Sequence, residues 1–113
     1  MSGITTHVLD TSRGAPAAGL DLELAREVDG GFTVIDAGPT DGDGRRTVLE
    51  ATDGRVPEGT YRLRFETAAW FARQETACFH PHVDIVFRIT DGTAHHHVPL
   101  LLSPYGYTTY RGS

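Results

Sequence analysis

The stretch from His95 to Ser113 reads HHHVPLLLSPYGYTTYRGS. Its first part predicts a strand. Side chains of a strand alternate between two faces, and here one of the two alternating sets of residues is mostly apolar. The core face is expected to hold His96, Val98, Leu100 and Leu102, and the opposite face His95, His97, Pro99 and Leu101. The remainder of the chain is interpreted around this half-buried strand.

The chain continues from this strand into a turn and a second strand. Residues 104–106 are turn formers, and residues 107–110 have high strand propensity. Pro99 cannot donate a ladder hydrogen bond, so it marks a sheet edge or an interrupted pairing. Two strands therefore close the chain, and they bring His97 and Tyr110 into one neighbourhood.

Alternating patterns and turn signals predict further short strands and one helix upstream. The helix is expected over residues 67–77 with Thr67 as its N-cap, and residues 10–19 are expected to form a loop. About eight strands with closely spaced turn signals indicate an all-β sandwich. The six upstream strands are expected at residues 4–10, 20–28, 32–37, 47–49, 60–66 and 83–89.

Length and composition limit the class of protein. A chain of 113 residues predicts a single domain over residues 1–113. Its net charge of −5 argues against a nucleic-acid partner, and no apolar run approaches the ~18 residues of a membrane span. Since there is one cysteine, Cys78, and no apolar leader after Met1, we expect a cytoplasmic protein in a reducing compartment.

Two positions could carry chemistry, and each also has a structural interpretation. His7 lies in the middle of a strand, where a structural histidine is common, although a histidine facing a cleft can act as a general base. The segment 41–45, DGDGR, fails the EF-hand pattern because its fifth residue is Arg45. It is either a tight turn or a turn that aims Arg45 at an anionic or carbonyl-rich ligand.

The histidine cluster offers a third possibility. The run His95-His96-His97, with His80 and His82, could form a structural zinc site, in which His95 and His97 share a strand face, but no third ligand has motif spacing. A serine hydrolase triad is not favoured, because the chain has no Gly-x-Ser-x-Gly segment. The residues alone therefore leave function open.

Four blocks of this sequence carry a family resemblance. The chain resembles the 5-hydroxyisourate hydrolases, the transthyretin-like enzymes of urate breakdown, over essentially its whole length. The terminal Tyr-Arg-Gly-Ser is the most specific block, since that family ends on it and the hormone-carrying transthyretins do not. The blocks are residues 4–10 with Gly14, Pro16 and Ala17; residues 40–45; Gly59, Tyr61, Arg62 and Phe65 with Trp70 and Phe71; and residues 97–113.

The resemblance implies an all-β, transthyretin-like (prealbumin-like) sandwich of two four-stranded sheets with one short helix. It also implies a homotetramer with sites at a subunit interface. The family's catalytic positions fall on His7, Arg45 and His97, and its substrate-binding positions on His7, Arg45, Tyr110, Arg111 and Ser113. Two departures are His96, where tyrosine is common, and residues 79–81, which differ from the usual aromatic pair before proline.

The implied reaction is the hydrolysis of 5-hydroxyisourate to 2-oxo-4-hydroxy-4-carboxy-5-ureidoimidazoline. His97 and His7 would handle water and proton transfers, with the identity of the base left open, and Arg45 would bind the carbonyls and stabilise negative charge. Tyr110 and Arg111 would close the slot, and Ser113 would orient a neighbour. No metal or organic cofactor is expected. The alternative is a non-catalytic transthyretin-like protein that binds small ligands.

Overall fold

A computed structural model describes residues 3–113 of the chain. These residues contain nine strands and one short helix, which follows the sixth strand, and no described helix is long and apolar enough to cross a membrane. The elements are β1 (Gly3–Asp10), β2 (Ala15–Pro16), β3 (Asp21–Val28), β4 (Gly31–Pro39), β5 (Arg45–Glu50), β6 (Gly59–Phe65), α1 (Thr67–Ala72), β7 (Val83–Ile89), β8 (His95–Ser103) and β9 (Gly106–Thr109).

The strands form two packed sheets, which confirms the predicted all-β sandwich with one short helix. One sheet has the order β4-β3-β6-β7 and is antiparallel throughout. In the other, β1 lies between β5 and β8, β8 also pairs with β9, and β2 adds two residues beside the end of β1. The second sheet therefore has five strands where four were predicted, because Ala15 and Pro16 pair with Asp10 and Leu9.

The apolar faces of the two sheets meet in one core. Leu24, Leu63 and Phe65 from one sheet and Val8 and Leu100 from the other are fully buried there. The predicted core face of β8 is confirmed, since its even-numbered residues are buried, including His96 at 5% exposure. The opposite face of β8 is the outer surface of the five-stranded sheet, as the alternation predicts.

The helix prediction was wrong in its length and in its cap. The helix ends at Ala72 rather than at residue 77, and its N-cap is Glu66. Thr67 is the first helical residue, and its buried hydroxyl has no hydrogen-bond partner within residues 3–113. Glu75 adopts a φ of 54°, a left-handed conformation that is incompatible with continuation of the helix.

Pro99 interrupts a pairing, which was one of the two roles predicted for it. Strand β8 is internal, and its ladder to β9 runs from Ser103 to Leu100. The ladder stops at Pro99 and resumes at a single bridge between His97 and Gly112 in the same register. Pro99 is nevertheless buried in the single chain.

Candidate functional site

Strand register places three of the predicted site residues, His7, Arg45 and His97, on one sheet face. Across the antiparallel β1–β5 pair, His7 lies opposite Arg45 and Thr5 opposite Thr47. In the parallel β1–β8 pair, Thr5 lies opposite His97. Paired residues of neighbouring strands share a face, so these side chains form two adjacent rows on the outside of the five-stranded sheet.

A cavity of about 440 Å³ opens on this face. Three of the predicted site residues line it: Arg45 and His97, which come from different strands, and Ser113 from the chain end. Its lining is largely polar and comprises Thr5, Thr6, Asp41, Arg45, Arg46, Thr47, His95, His97 and Ser113. His7 lies in the adjacent row of the sheet and is not part of this lining.

The turn before β5 holds Arg45 in place. The carboxylate of Asp41 accepts hydrogen bonds from the backbone N–H groups of Asp43 and Arg45, each at 2.9 Å. Gly44, at a φ of +75°, lies so close to the carbonyl of Val8 that a side chain at position 44 would collide with it. The hydrogen bond from the Arg45 N–H is the main cause that lowers the pKa of Asp41, which favours the ionised carboxylate that accepts these bonds.

The neighbouring arginine is engaged elsewhere. Arg46 donates from Nε and Nη2 to the carboxylate of Asp36 on β4, at 3.2 and 3.3 Å, and also to the carbonyls of Ala37 and Pro39. A Cβ at Gly38 would lie 2.6 Å from the Arg46 guanidinium carbon, so glycine allows this close approach. Because the charge of Arg46 is paired with Asp36, Arg45 is the better candidate for contacting a ligand.

The hydrogen bond of His7 determines its tautomer. Its Nε2 lies 2.9 Å from the backbone carbonyl oxygen of Asp43. A carbonyl can only accept, so Nε2 must carry the proton and the neutral ring has its lone pair on Nδ1. This bond also ties His7 to the turn that presents Arg45.

His97 is half-buried in the cavity lining beside a positive charge. Its Nδ1 lies 2.8 Å from the hydroxyl oxygen of Thr5, which leaves Nε2 as the nitrogen not engaged by Thr5. Burial, followed by the Arg45 charge and by His7, lowers the pKa of His97. Its ring is therefore neutral and able to accept a proton at neutral pH.

Thr5 is a site residue that sequence reasoning missed. Its hydroxyl also lies 2.9 Å from Nε2 of His95, so one side chain bridges two histidines of β8. The alternation of β1 does place Thr5 on the face of His7, which was the available signal. The sequence does not reveal that β1 and β8 are neighbours, and the contact depends on that pairing.

Tyr110 and Arg111 line a different cavity in the single chain. This second cavity, of about 310 Å³, is largely apolar and lies between β7 and the β8–β9 pair at the edge of the sandwich. Core-facing His96 also lines it, and burial and then the nearby Arg111 charge lower the pKa of His96. The single chain thus brings Arg45, His97 and Ser113 together and leaves Tyr110 and Arg111 apart from them.

Gly112 packs directly on His97. Its backbone N–H donates to the carbonyl of His97 at 2.8 Å, and a Cβ at position 112 would lie 2.7 Å from Cδ2 of the His97 ring. Gly112→Ala is therefore expected to displace the ring and to lower the free energy of unfolding by about 1–3 kcal/mol, as overpacking does. Denaturant unfolding and the ring NMR signals of His97 measure both effects.

Gly106→Ala is the matched control for Gly112→Ala. A Cβ at position 106 meets only the Ser103 hydroxyl, at an ordinary contact distance of 3.9 Å. If Gly112→Ala left the His97 ring signals unchanged and were as stable as Gly106→Ala, the packing argument would be contradicted.

Metal binding has no support from the geometry of the histidines. Within the described range 3–113, no three His, Cys, Asp or Glu side chains are grouped so that they could hold a metal ion. Of the five histidines considered for zinc, His82 instead lies 3.8 Å from the carboxylate of Asp84. The ring of His80 makes edge contacts with Phe79 and Tyr107.

Comparisons with known proteins agree with these observations. A family model described as HIUase/Transthyretin matches residues 4–112. A 5-hydroxyisourate hydrolase of Mus musculus is 45% identical, over 99% of this chain and 96% of that protein. The structure of Klebsiella pneumoniae 5-hydroxyisourate hydrolase superposes with a TM-score of 0.85 at 38% identity, covering 99% of this chain and 100% of that one. Transthyretin from Sparus aurata superposes with a TM-score of 0.89 at 33% identity, covering 99% and 97%. This chain belongs to the HIUase/Transthyretin family.

Proposed function

We propose that this protein is an enzyme of urate degradation that hydrolyses 5-hydroxyisourate to 2-oxo-4-hydroxy-4-carboxy-5-ureidoimidazoline. The observation that carries the proposal is the polar cavity in which Arg45, His97 and Ser113 meet. The proposal is supported by the names of relatives that match nearly the whole chain, 5-hydroxyisourate hydrolases of Mus musculus and of Deinococcus radiodurans, at 45% and 41% identity.

The similarity of fold does not by itself separate this proposal from ligand carriage. The transthyretin of Sparus aurata superposes slightly better than the Klebsiella pneumoniae hydrolase does, with TM-scores of 0.89 and 0.85. The chemistry of the cavity favours the enzyme. A site that only buries an apolar ligand needs no half-buried histidine held neutral beside an arginine, whereas hydrolysis needs both groups.

The reaction opens a cyclic amide. Water adds to a ring carbonyl, the C–N bond breaks, the nitrogen takes a proton, and the new carboxylic acid ionises. In our proposal His97 accepts the proton from water at Nε2, since its lowered pKa keeps it neutral and it lines the cavity. Arg45 contacts the substrate carbonyls and stabilises the oxyanion. The Nδ1 lone pair of His7 is available for a further proton transfer.

The same proposal includes a homotetramer with sites at subunit interfaces. On the outer face of the five-stranded sheet, Leu9 and Leu101 are paired and only partly buried, directly beyond the row of His7 and Pro99. A second copy covering this face would bury them and enclose the cavity. Tyr110 and Arg111 would then contribute to substrate binding in the assembled protein. Light scattering after gel filtration measures the assembly.

We also propose a cytoplasmic location, which the free Cys78 favours.

The decisive experiment follows freshly made 5-hydroxyisourate. The substrate is generated from urate with urate oxidase, and its ultraviolet absorbance is followed with folded protein, with heat-denatured protein and with buffer. We expect only the folded protein to accelerate the decay above the spontaneous rate. A folded tetramer that gives no acceleration would refute the hydrolase proposal, and calorimetric titration with a thyroid hormone would then test ligand carriage.

A further inference from the structure

The hydroxyl of Thr5 connects the two outward-facing histidines of β8. Its Oγ1 lies 2.8 Å from Nδ1 of His97 and 2.9 Å from Nε2 of His95. The strand register explains both contacts. In the parallel β1–β8 pair Thr5 is the cross-strand partner of His97, and the partner of His95 is Gly3, which has no side chain. All three side chains line the 440 Å³ cavity, so the bridge belongs to the site itself.

The chemistry of a hydroxyl couples the two rings. A threonine hydroxyl has one proton to donate, and a neutral imidazole has one N–H and one lone pair. The oxygen can also accept two hydrogen bonds, so either both histidines donate to Oγ1 or one donates and the other accepts the hydroxyl proton; the two rings cannot both accept. When the hydroxyl proton is donated to one of the two rings, the other ring must be the donor, and the two tautomers are then coupled through Thr5.

We propose that Thr5 and His95 are positioning residues that hold His97 in its base form and carry its proton out of the site. This inference rests on the proposed hydrolysis. In the resting state Nδ1–H of His97 donates to Thr5, and the Thr5 hydroxyl donates to Nε2 of His95. That direction leaves the lone pair of His97 on Nε2, where a base needs it.

The relay balances in protons. When Nε2 of His97 takes a proton from water, the Nδ1 proton can pass to Oγ1 of Thr5 while the Thr5 proton passes to Nε2 of His95. His97 is then neutral with its proton on Nε2, and the positive charge lies on His95, whose side chain is exposed and can release a proton to solvent. The starting tautomers return when Nε2 gives its proton to the leaving nitrogen and Nδ1 takes up a proton through the same chain of His95 and Thr5. An exit is needed because each amide bond hydrolysed yields a carboxylic acid that ionises, which leaves one proton per turnover to be removed.

Other charged and titratable groups surround the relay and must be held constant when it is tested. Arg45 and His7 both disfavour a charged His97, and His95 does so as well when it is protonated. Asp41 and Arg46 line the same cavity from the β5 side. A variant that removes the Thr5 hydroxyl leaves all of these charges unchanged, so the Thr5 position gives the cleanest test.

The test reads the tautomers directly. The full chain, with ¹⁵N-labelled histidine, is studied at about pH 8, well above the ordinary imidazole pKa, by long-range proton–nitrogen correlation of the ring nitrogens. We expect His95 and His97 to carry their protons on Nδ1 in the wild type. Thr5→Val is isosteric but lacks the hydroxyl, and it should shift His97 towards the Nε2–H form. Thr5→Ser should restore the wild-type pattern.

Two further variants complete this arm. Thr47→Val removes a hydroxyl from the residue opposite Thr5 that lines the same cavity, and it should leave the histidine tautomers unchanged. His95→Ala removes the end of the relay, and it should lower the Nδ1–H fraction of His97 even if Thr5→Val folds poorly. The inference would be overturned if wild-type His97 or wild-type His95 carried its proton on Nε2. It would also be overturned if the tautomer of His97 did not change in Thr5→Val and in His95→Ala.

Kinetics provide the second arm. Thr5→Val is expected to lower kcat about 10- to 100-fold, the effect of one hydrogen bond to a charged group, while KM changes less than about 3-fold. Thr5→Ser should recover most of kcat, and Thr33→Val, on exposed β4, serves as the activity control. If the wild type does not hydrolyse 5-hydroxyisourate, the proposed function fails while the tautomer data still test the bridge. If the wild type is active and Thr5→Val retains its kcat, only the relay fails.

Discussion

Replacing His97 with alanine is expected to lower kcat/KM for 5-hydroxyisourate by about 10²–10⁴-fold, the usual contribution of a positioned base. This corresponds to about 3–5 kcal/mol of lost transition-state stabilisation. The reason is that His97 is the half-buried histidine of the cavity lining whose pKa is lowered. Absorbance decay of the substrate under first-order conditions measures the ratio.

His82→Ala is the matched control for His97→Ala. It removes the same ring from the segment preceding β7 in the opposite sheet, where Asp84 keeps its bidentate pairing with Arg64 at 2.7 and 2.8 Å. Activity close to wild type is expected. If His97→Ala retained the wild-type kcat/KM while folding normally, His97 could not be the base and His7 would be tested next.

The pH profile of the wild type follows from the same group. Because the folded-state pKa of His97 is lowered from 6.5, the neutral ring persists as pH falls through 6.5 and is lost only below it. The acid limb of kcat/KM should therefore have its midpoint below 6.5. The effect on stability has the same sign. As pH falls, the unfolded chain binds a proton at this histidine before the folded protein does, so the contribution of His97 to the free energy of unfolding declines as the solution becomes more acidic.

Arg45→Ala is expected to lower kcat/KM by about 10²–10³-fold, as loss of one preorganised oxyanion donor does. A second effect separates this variant from a simple binding defect. The Arg45 charge is one of the causes that lower the pKa of His97, so its removal should raise that pKa towards 6.5. NMR titration of the His97 ring measures this shift without substrate.

Arg45→Lys distinguishes charge from geometry at this position. Lysine keeps the positive charge but lacks the planar fork, so the pKa of His97 should stay low while activity remains reduced. Arg55→Ala is the control, because Arg55 is exposed and pairs only loosely with exposed Glu58 at 3.6 Å. Full activity in Arg45→Ala, or a His97 pKa that does not move, would contradict the role proposed for Arg45.

Most of the strands could be predicted from the sequence, because strands with one buried face have a period of two residues. The β7 prediction matches the structure residue for residue, and Asp29 and Gly30, which connect β3 to β4, both have positive φ, as hairpin turns require. The helix end was not predictable in the same way. Residues 73–77 have reasonable helix propensity, but Glu75 takes a left-handed φ of 54° and the Thr76 N–H donates back to the carbonyl of Phe71 at 3.1 Å, which closes the helix.

Local sequence also failed to predict elements whose extent depends on a neighbouring segment. Ala15 and Pro16 have no strand signal, and they count as β2 only because the end of β1 lies beside them. Thr67 looks like an N-cap in sequence, but the chain enters the helix one residue earlier, at Glu66, and the Thr67 hydroxyl is buried. In both cases a neighbouring segment decided the outcome.

The sequence by itself determined the class of fold, the outward direction of His97 and the family, through alternation and the motifs around His7, Arg45 and the chain end. Only the tertiary structure decided which of these residues meet. The pairing of β1 with β8 joins Thr5 to His97, which lies 92 residues away in the sequence, and the pairing of β1 with β5 joins His7 to Arg45. Alternation assigns a side chain to a face, but it contains no information on which strand lies alongside or in what register.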